Sequence, residues 1–200
     1  MPTNVAIYIF PDVEVLDFAG PYEVFTTASR LFKRRNPDAE DLFRVFLVAK
    51  DQNAVCARAG LKVLPDFSLK NCPATHLLII PGGVVDREVG DAQVIEWVKT
   101  HSAQATITAS VCTGAFILAK AGLLEGRNAT THWEDIAELQ TQFCNVLVRE
   151  DVHWVDEGTI VTSAGIAAGI DMSLHLVTRF ADKELAASTA RQMEVPFGNN

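Results

Sequence analysis

The chain has 200 residues, 48% of them hydrophobic and 21% charged, which leaves room for one ordinary α/β domain with a real core and excludes a disordered or collagen-like chain. Seventeen Lys and Arg against 25 Asp and Glu give a formal charge of −8, which speaks against nucleic-acid binding, because phosphate contacts need a positive face. No apolar run reaches the roughly 18 residues of a membrane span, and the start Met1-Pro2-Thr3-Asn4 lacks the charged region of a signal peptide, so a cytoplasmic protein without membrane contact is expected.

Residues 5–10 read as the first strand, a nearly continuous apolar run of the kind a strand covered on both faces requires. A helix follows, with Pro21 in a first turn and Val24, Phe25, Ala28, Leu31 and Phe32 forming one apolar stripe. Lys33, Arg34 and Arg35 fall at its end, where cations offset the C-terminal partial negative charge. Further buried strands are predicted at residues 43–49, 77–80 and 105–109. Asp91 can cap a helix that turns Val94, Ile95 and Val98 inward, and residues 131–134 have the spacing of a capping box ahead of Ile136, Leu139 and Phe143. Strand and helix thus alternate, which predicts a three-layer α/β sandwich with a mostly parallel sheet and right-handed crossovers.

Near the C-terminus, residues 152–155 and 159–162 flank Asp156-Glu157-Gly158 and predict a small antiparallel hairpin, with Gly158 supplying the positive φ of the turn. A long helix carrying Ile166, Ile170, Leu174 and Val177 comes next, then a shorter one over 183–192. No repeat or linker interrupts the pattern, and a single domain is expected over residues 1–200.

Cys56, Cys72, Cys112 and Cys144 lie far apart with no C-x-x-C pair, so neither a metal site nor a disulfide framework is suggested, and no cofactor is implied. Cys112 stands out because an apparent strand runs into a helix at its position with almost no connection. Such an elbow strains the junction residue and demands small neighbours two positions either side, here Ser110 and Gly114. The free N–H groups of the following helix would favour a thiolate, which makes Cys112 a candidate nucleophile rather than a small buried hydrophobe.

Thr113 follows the cysteine directly, so any acid or base must come from elsewhere, and in parallel sheets such groups gather beyond the carboxyl ends of the strands. After the first strand come Asp12, Glu14 and Asp17; after residues 77–80 comes Pro81-Gly82-Gly83. Gly82 and Gly83 either bring backbone N–H groups close to a ligand or simply make a tight turn. Asp17 either moves protons or caps a helix. His132 is a binding or a structural histidine; His132-Trp133-Glu134 matches a His-x-Glu pair but lies on a capping segment close behind Cys112, unlike a glutaminase dyad.

Taken together, Leu16-Asp17-Phe18-Ala19-Gly20-Pro21, Ile80-Pro81-Gly82-Gly83, Ser110-Val111-Cys112-Thr113-Gly114-Ala115, Ala129-Thr130-Thr131-His132-Trp133 and the stretch 162–171 resemble the ThiJ/PfpI superfamily across essentially the whole chain. The resemblance implies a flavodoxin-like, class I glutamine amidotransferase-like fold and is strongest to isocyanide (isonitrile) hydratases and to the amidase-like sensor domain of AraC-type transcriptional regulators. Carried over from the hydratases, Cys112 is the nucleophile, Asp17 the general acid/base, and Thr113 helps place water or substrate. Gly82 and Gly83 gather donors around the sulfur, and His132 is expected on the substrate side. Protease-like relatives carry His where Thr113 stands, so a peptidase is not expected, and glyoxalase-like relatives generally use Glu where this chain has Asp17.

The leading expectation is therefore a cofactor-free hydro-lyase acting on a small molecule, as a homodimer by resemblance. A ligand-sensing domain without catalysis and a thiol redox sensor, oxidised at Cys112 in preference to Cys56, Cys72 and Cys144, are the alternatives. In the AraC-type relatives a helix-turn-helix module follows the segment resembling Ala190 to Pro196. This sequence stops at Asn200, which favours a free-standing enzyme with no nucleic-acid partner of its own.

Overall fold

The computed structural model describes residues 1–198. In chain order the elements are β1 (Thr3–Tyr8), α1 (Val15–Arg35), β2 (Phe43–Ala49), β3 (Val55–Cys56), β4 (Lys62–Val63), β5 (Phe67–Ser68), β6 (Leu77–Ile80), α2 (Asp86–Gly90), α3 (Ala92–Gln104) and β7 (Ile107–Val111). Then come α4 (Gly114–Lys120), β8 (Asn128–Ala129), α5 (Ile136–Gln142), β9 (Leu147–Val148), β10 (Trp154–Asp156), β11 (Ile160–Ser163), α6 (Ala168–Phe180) and α7 (Lys183–Met193). Seven strands form one sheet in the order β10-β11-β7-β6-β1-β2-β5, parallel throughout except for β10, which returns antiparallel against β11.

Helices α1, α6 and α7 pack on one another, and α2, α3 and α4 pack on one another; α6 and α4 both touch β7, from opposite faces. The central strands are accordingly buried on both sides, with Val5 to Tyr8 and Leu77 to Ile80 all at 0% exposure. At the end of β1 the Tyr8 hydroxyl donates to the Glu88 carboxylate of α2. Burial and the Glu88 charge hold the Tyr8 hydroxyl firmly protonated, and burial also raises Glu88. The pair ties the short α2 to the sheet just beyond the Gly82-Gly83 turn.

Element identities agree with the sequence pattern, while several boundaries move. Strand β1 begins and ends two residues before the expected 5–10, leaving Phe10 buried beyond the ladder. Strand β7 lies two residues after the expected 105–109, because pairing with β6 sets its register from Leu77↔Ile107 to Ile80↔Ser110; apolarity alone does not encode register. Helix α1 begins at Val15, so Pro21 is an interior residue rather than a first-turn one. Its missing N–H leaves the Asp17 carbonyl without its intrahelical donor. The hairpin is present, its first strand beginning two residues and its second one residue later than expected, with Gly158 at φ 85°. Ile166 falls before α6, not on it, and is 39% exposed.

The Asp91 side chain caps α3 by accepting from Gln93 N at 2.9 Å. The expected capping box at 131–134 does not form: His132 Nδ1 accepts from Glu134 N, while the Thr131 hydroxyl is directed to the sheet.

Candidate active site

Cys112 sits between the last residue of β7 and the start of α4 at φ 55°, the left-handed region that costs a residue with a Cβ roughly 1–2 kcal/mol. Three contacts hold it there. Its N–H donates to Ser163 O at 3.1 Å, extending the β7–β11 ladder; its carbonyl accepts from Thr131 Oγ1 at 2.9 Å; and Gly114 packs so closely that a Cβ would lie 2.1 Å from Ile80 O. The small residue demanded two positions after the cysteine is thus explained by the neighbouring strand end.

Asp17 occupies the first turn of α1, is fully buried, and does not cap the helix; Glu14 holds the N-cap position. Its Oδ2 accepts from Gly82 N at 3.0 Å, and its Oδ1 has no hydrogen-bond partner. Burial raises its pKa to about 7; the Gly82 N–H pulls the other way, the Glu14 charge adds to the rise, and the Cys112 thiol lowers it. Cys112, 7% exposed, is pushed up to about 12, first by burial and then by the Asp17 charge, against the pull of the Thr113 N–H and hydroxyl. The expectation that a helix N-terminus would make Cys112 a ready thiolate is therefore corrected. Burial pushes the thiol up despite its place just ahead of the seven-residue α4, and it raises the neighbouring carboxyl as well.

Gly82 and Gly83 lie where expected, but their N–H groups are already used. Gly82 N–H fixes Asp17, and Gly83 N–H donates to Thr113 Oγ1 at 2.9 Å while that hydroxyl donates back to Gly83 O at 2.9 Å. The turn works as a jig for Asp17 and Thr113. A Cβ on Gly82 would fall 2.6 Å from Thr113 N and 2.9 Å from Asp17 Oδ2, which is why no side chain fits there.

His132 stands at the other wall. A Cβ at Gly165 would lie 2.7 Å from Cys112 Sγ and 2.8 Å from His132 Cδ2, so the ring edge and the sulfur both pack against this glycine and leave no room for a side chain. The ring's Nδ1 is 3.4 Å from Asp135 Oδ2 and 3.7 Å from Glu134 Oε2. Over the thiol opens a cavity of about 320 Å³ bounded by Glu14, Arg58, Gly83, Thr113, Asp135 and Ile166. The elbow, Asp17, Thr113, the two glycines and His132 thus converge.

Sequence reasoning did not single out Arg58, Asp135 or Gly165 as site residues. Arg58 arrives on the turn between β3 and β4, held by its N–H to Val13 O, and nothing local announces that docking. The His132/Asp135 spacing, by contrast, was visible. Among the described residues, no group of three His, Cys, Asp or Glu could hold a metal ion, and no helix is long and apolar enough to cross a membrane.

The close packing at Gly165 makes a direct test. Gly165→Ala places a methyl against the sulfur, an overpacking of about 1–3 kcal/mol, and is expected to slow alkylation of Cys112 by iodoacetamide about tenfold or more. Mass spectrometry of the Cys112 peptide reads the rate, and an unchanged rate would mean that the backbone shifts to take the methyl without crowding the thiol.

Comparison with known proteins places these features in context. Residues 3–179 match the DJ-1/PfpI family. The chain is similar to an isonitrile hydratase of Pseudomonas putida, 33% identical over 195 residues that cover 97% of this chain and 79% of the relative. It is also similar to the HTH-type transcriptional regulator GbdR of Pseudomonas aeruginosa, at 29% identity over 94% of this chain; there it spans about half of the relative, 49%. Among solved structures, a ThiJ/PfpI family protein from Pseudomonas syringae superposes with a TM-score of 0.83 at 27% identity, covering 97% of this chain and 75% of the other.

Proposed function

Because the chain belongs to the DJ-1/PfpI family, we propose that it is a cysteine-dependent enzyme that hydrates isocyanides, with Cys112 as nucleophile and Asp17 as the proton carrier. The observation that carries the reading is the fully buried Asp17 carboxyl, fixed by the Gly82 N–H and free at Oδ1, beside the strained elbow that bears Cys112; burial raises the carboxyl's pKa to about 7. A general acid/base is most effective when its pKa is close to the working pH, and an isocyanide carbon needs both a nucleophile and a proton.

In the first half of the reaction, the Asp17 carboxylate accepts the thiol proton as the Cys112 sulfur bonds to the terminal carbon, then delivers that proton to the same carbon, leaving a thioimidate. Water then adds to this carbon, the nitrogen gains a proton, the C–S bond breaks with the proton returning to sulfur, and an N-substituted formamide leaves. Thr113, locked to Gly83, holds its N–H beside the sulfur and lowers the thiol's pKa, which aids the developing thiolate. A homodimer is part of the proposal by family likeness.

Hydration of a simple alkyl isocyanide is the test, and its pH dependence is specific. Only ionised Asp17 can take the thiol proton, so kcat/KM is expected to fall tenfold per pH unit below about 7 and to stay level above it, since Cys112 ionises only near 12. The two groups are coupled, so these are values for the pair. Activity that climbs steadily to high pH would mean that a preformed thiolate reacts without Asp17. The likeness to a transcriptional regulator supports a second reading, a ligand-sensing domain, which predicts binding without turnover.

A further inference from the structure

The same cavity carries information about the part of the substrate that does not react. Arg58 is the only Lys or Arg among the described residues bounding it, and its Nε lies 3.7 Å from Glu14 Oε2, which offsets the charge. Glu134 and Asp135 face no Lys or Arg there, only the His132 ring, whose Nδ1 lies 3.7 Å and 3.4 Å from them. Two adjoining clefts share this rim: one of about 310 Å³ adds Asp86 and Glu138, and one of about 600 Å³ adds Glu150 and Asp151. Neither has a Lys or Arg among its described lining residues. The basic cluster Arg30, Lys33 and Arg34 borders a different cleft at the end of α1. Trp133, 75% exposed, lines the larger of the two adjoining clefts together with Glu134, and an open indole face attracts cations. The site itself is marked independently by Cys112 and by the unpartnered, fully buried Asp17 Oδ1.

We propose that the mouth over Cys112 selects substrates whose distal end is an organic cation, a protonated alkylamine, and disfavours those ending in a carboxylate. A concave rim of one sign focuses the potential and concentrates ligands of the other. The assignment rests on the hydratase reading for the reactive end of the substrate and on the charge of the mouth for the rest.

Two experiments separate the claims. The first uses methanethiosulfonate reagents bearing either an aminoethyl or a sulfonatoethyl group. The Cys112 sulfur attacks the reagent's sulfenyl sulfur, a disulfide forms, methanesulfinate leaves, and the thiol proton passes to solvent. With each rate divided by that for free cysteine and the adduct located by mass spectrometry, the cationic reagent is expected to modify Cys112 about tenfold or more faster at low salt. The gap should narrow in about 1 M salt and in the double variant Glu134→Gln/Glu150→Gln. Equal rates, or a faster anionic reagent, overturn the inference.

The second compares hydration of matched isocyanides ending in ammonium, methyl or carboxylate. Turnover of all three without an ammonium advantage overturns the inference alone. Turnover of none, with the reagent ranking intact, overturns the hydratase reading and leaves a cation-selective ligand mouth.

Discussion

Asp17→Asn is expected to lower isocyanide turnover by about 10²–10⁴-fold, the range for loss of a positioned general acid/base, and at the same time to make the protein more resistant to heat at pH 8. The second effect follows from the same burial as the first. The folded state holds the Asp17 proton up to about pH 7, whereas an unfolded carboxyl releases it near 4. Between those values the folded chain binds more protons, so wild-type stability falls as pH rises through this window and then levels off. The cumulative cost is on the order of 4 kcal/mol. Asparagine carries no charge and keeps an oxygen for the Gly82 N–H, so the variant should gain in Tm over wild type increasingly from pH 4 to pH 7. Melting curves at pH 5 and pH 8, read beside activity, check both halves. An inactive variant that also melts lower at pH 8 would point to damage rather than loss of a proton carrier.

Cys112→Ala is expected to reduce turnover to the uncatalysed background, a loss of about 10⁴-fold or more, because the sulfur that bonds to carbon in the proposed reaction is gone. Normal turnover in this variant would end the covalent proposal. Cys112→Gly should be equally inactive yet melt higher than the alanine variant. Alanine keeps the Cβ at φ 55°, while glycine relieves that strain, for a net gain of about 1 kcal/mol once its larger unfolded-state entropy is counted. The elbow would thus prove to be held against a local cost by Ser163, Thr131 and Gly114, as is common where reactivity requires an exposed backbone corner.

Much of this arrangement was legible in the sequence. The apolar runs at β2 and β6 coincide with their strands, and the small residues around Cys112 announced the elbow before Ile80 O was known to press on Gly114. Registers and charges were less accessible. Strand β7 slid by two residues because its place depends on what β6 offers it. The thiol's acidity is not encoded locally: the neighbouring helix terminus favours a thiolate, whereas burial, a property of the whole fold, pushes the thiol up. Both glycines were visible, yet the destinations of their N–H groups, Asp17 and Thr113, depend on residues far along the chain. Arg58 enters the mouth only through the docking of the β3–β4 turn on Val13.

The strand order has a kinetic meaning as well. The reacting groups hang from the ends of β1, β6, β7 and β11, four parallel neighbours of which no adjacent pair is joined by a hairpin. Each pairing closes a long loop, and such non-local contacts form slowly. A partly assembled sheet can hold Cys112 or Asp17, but not the two opposed. If the proposed activity holds, its recovery on refolding is expected to report closure of the central sheet rather than the presence of any single element.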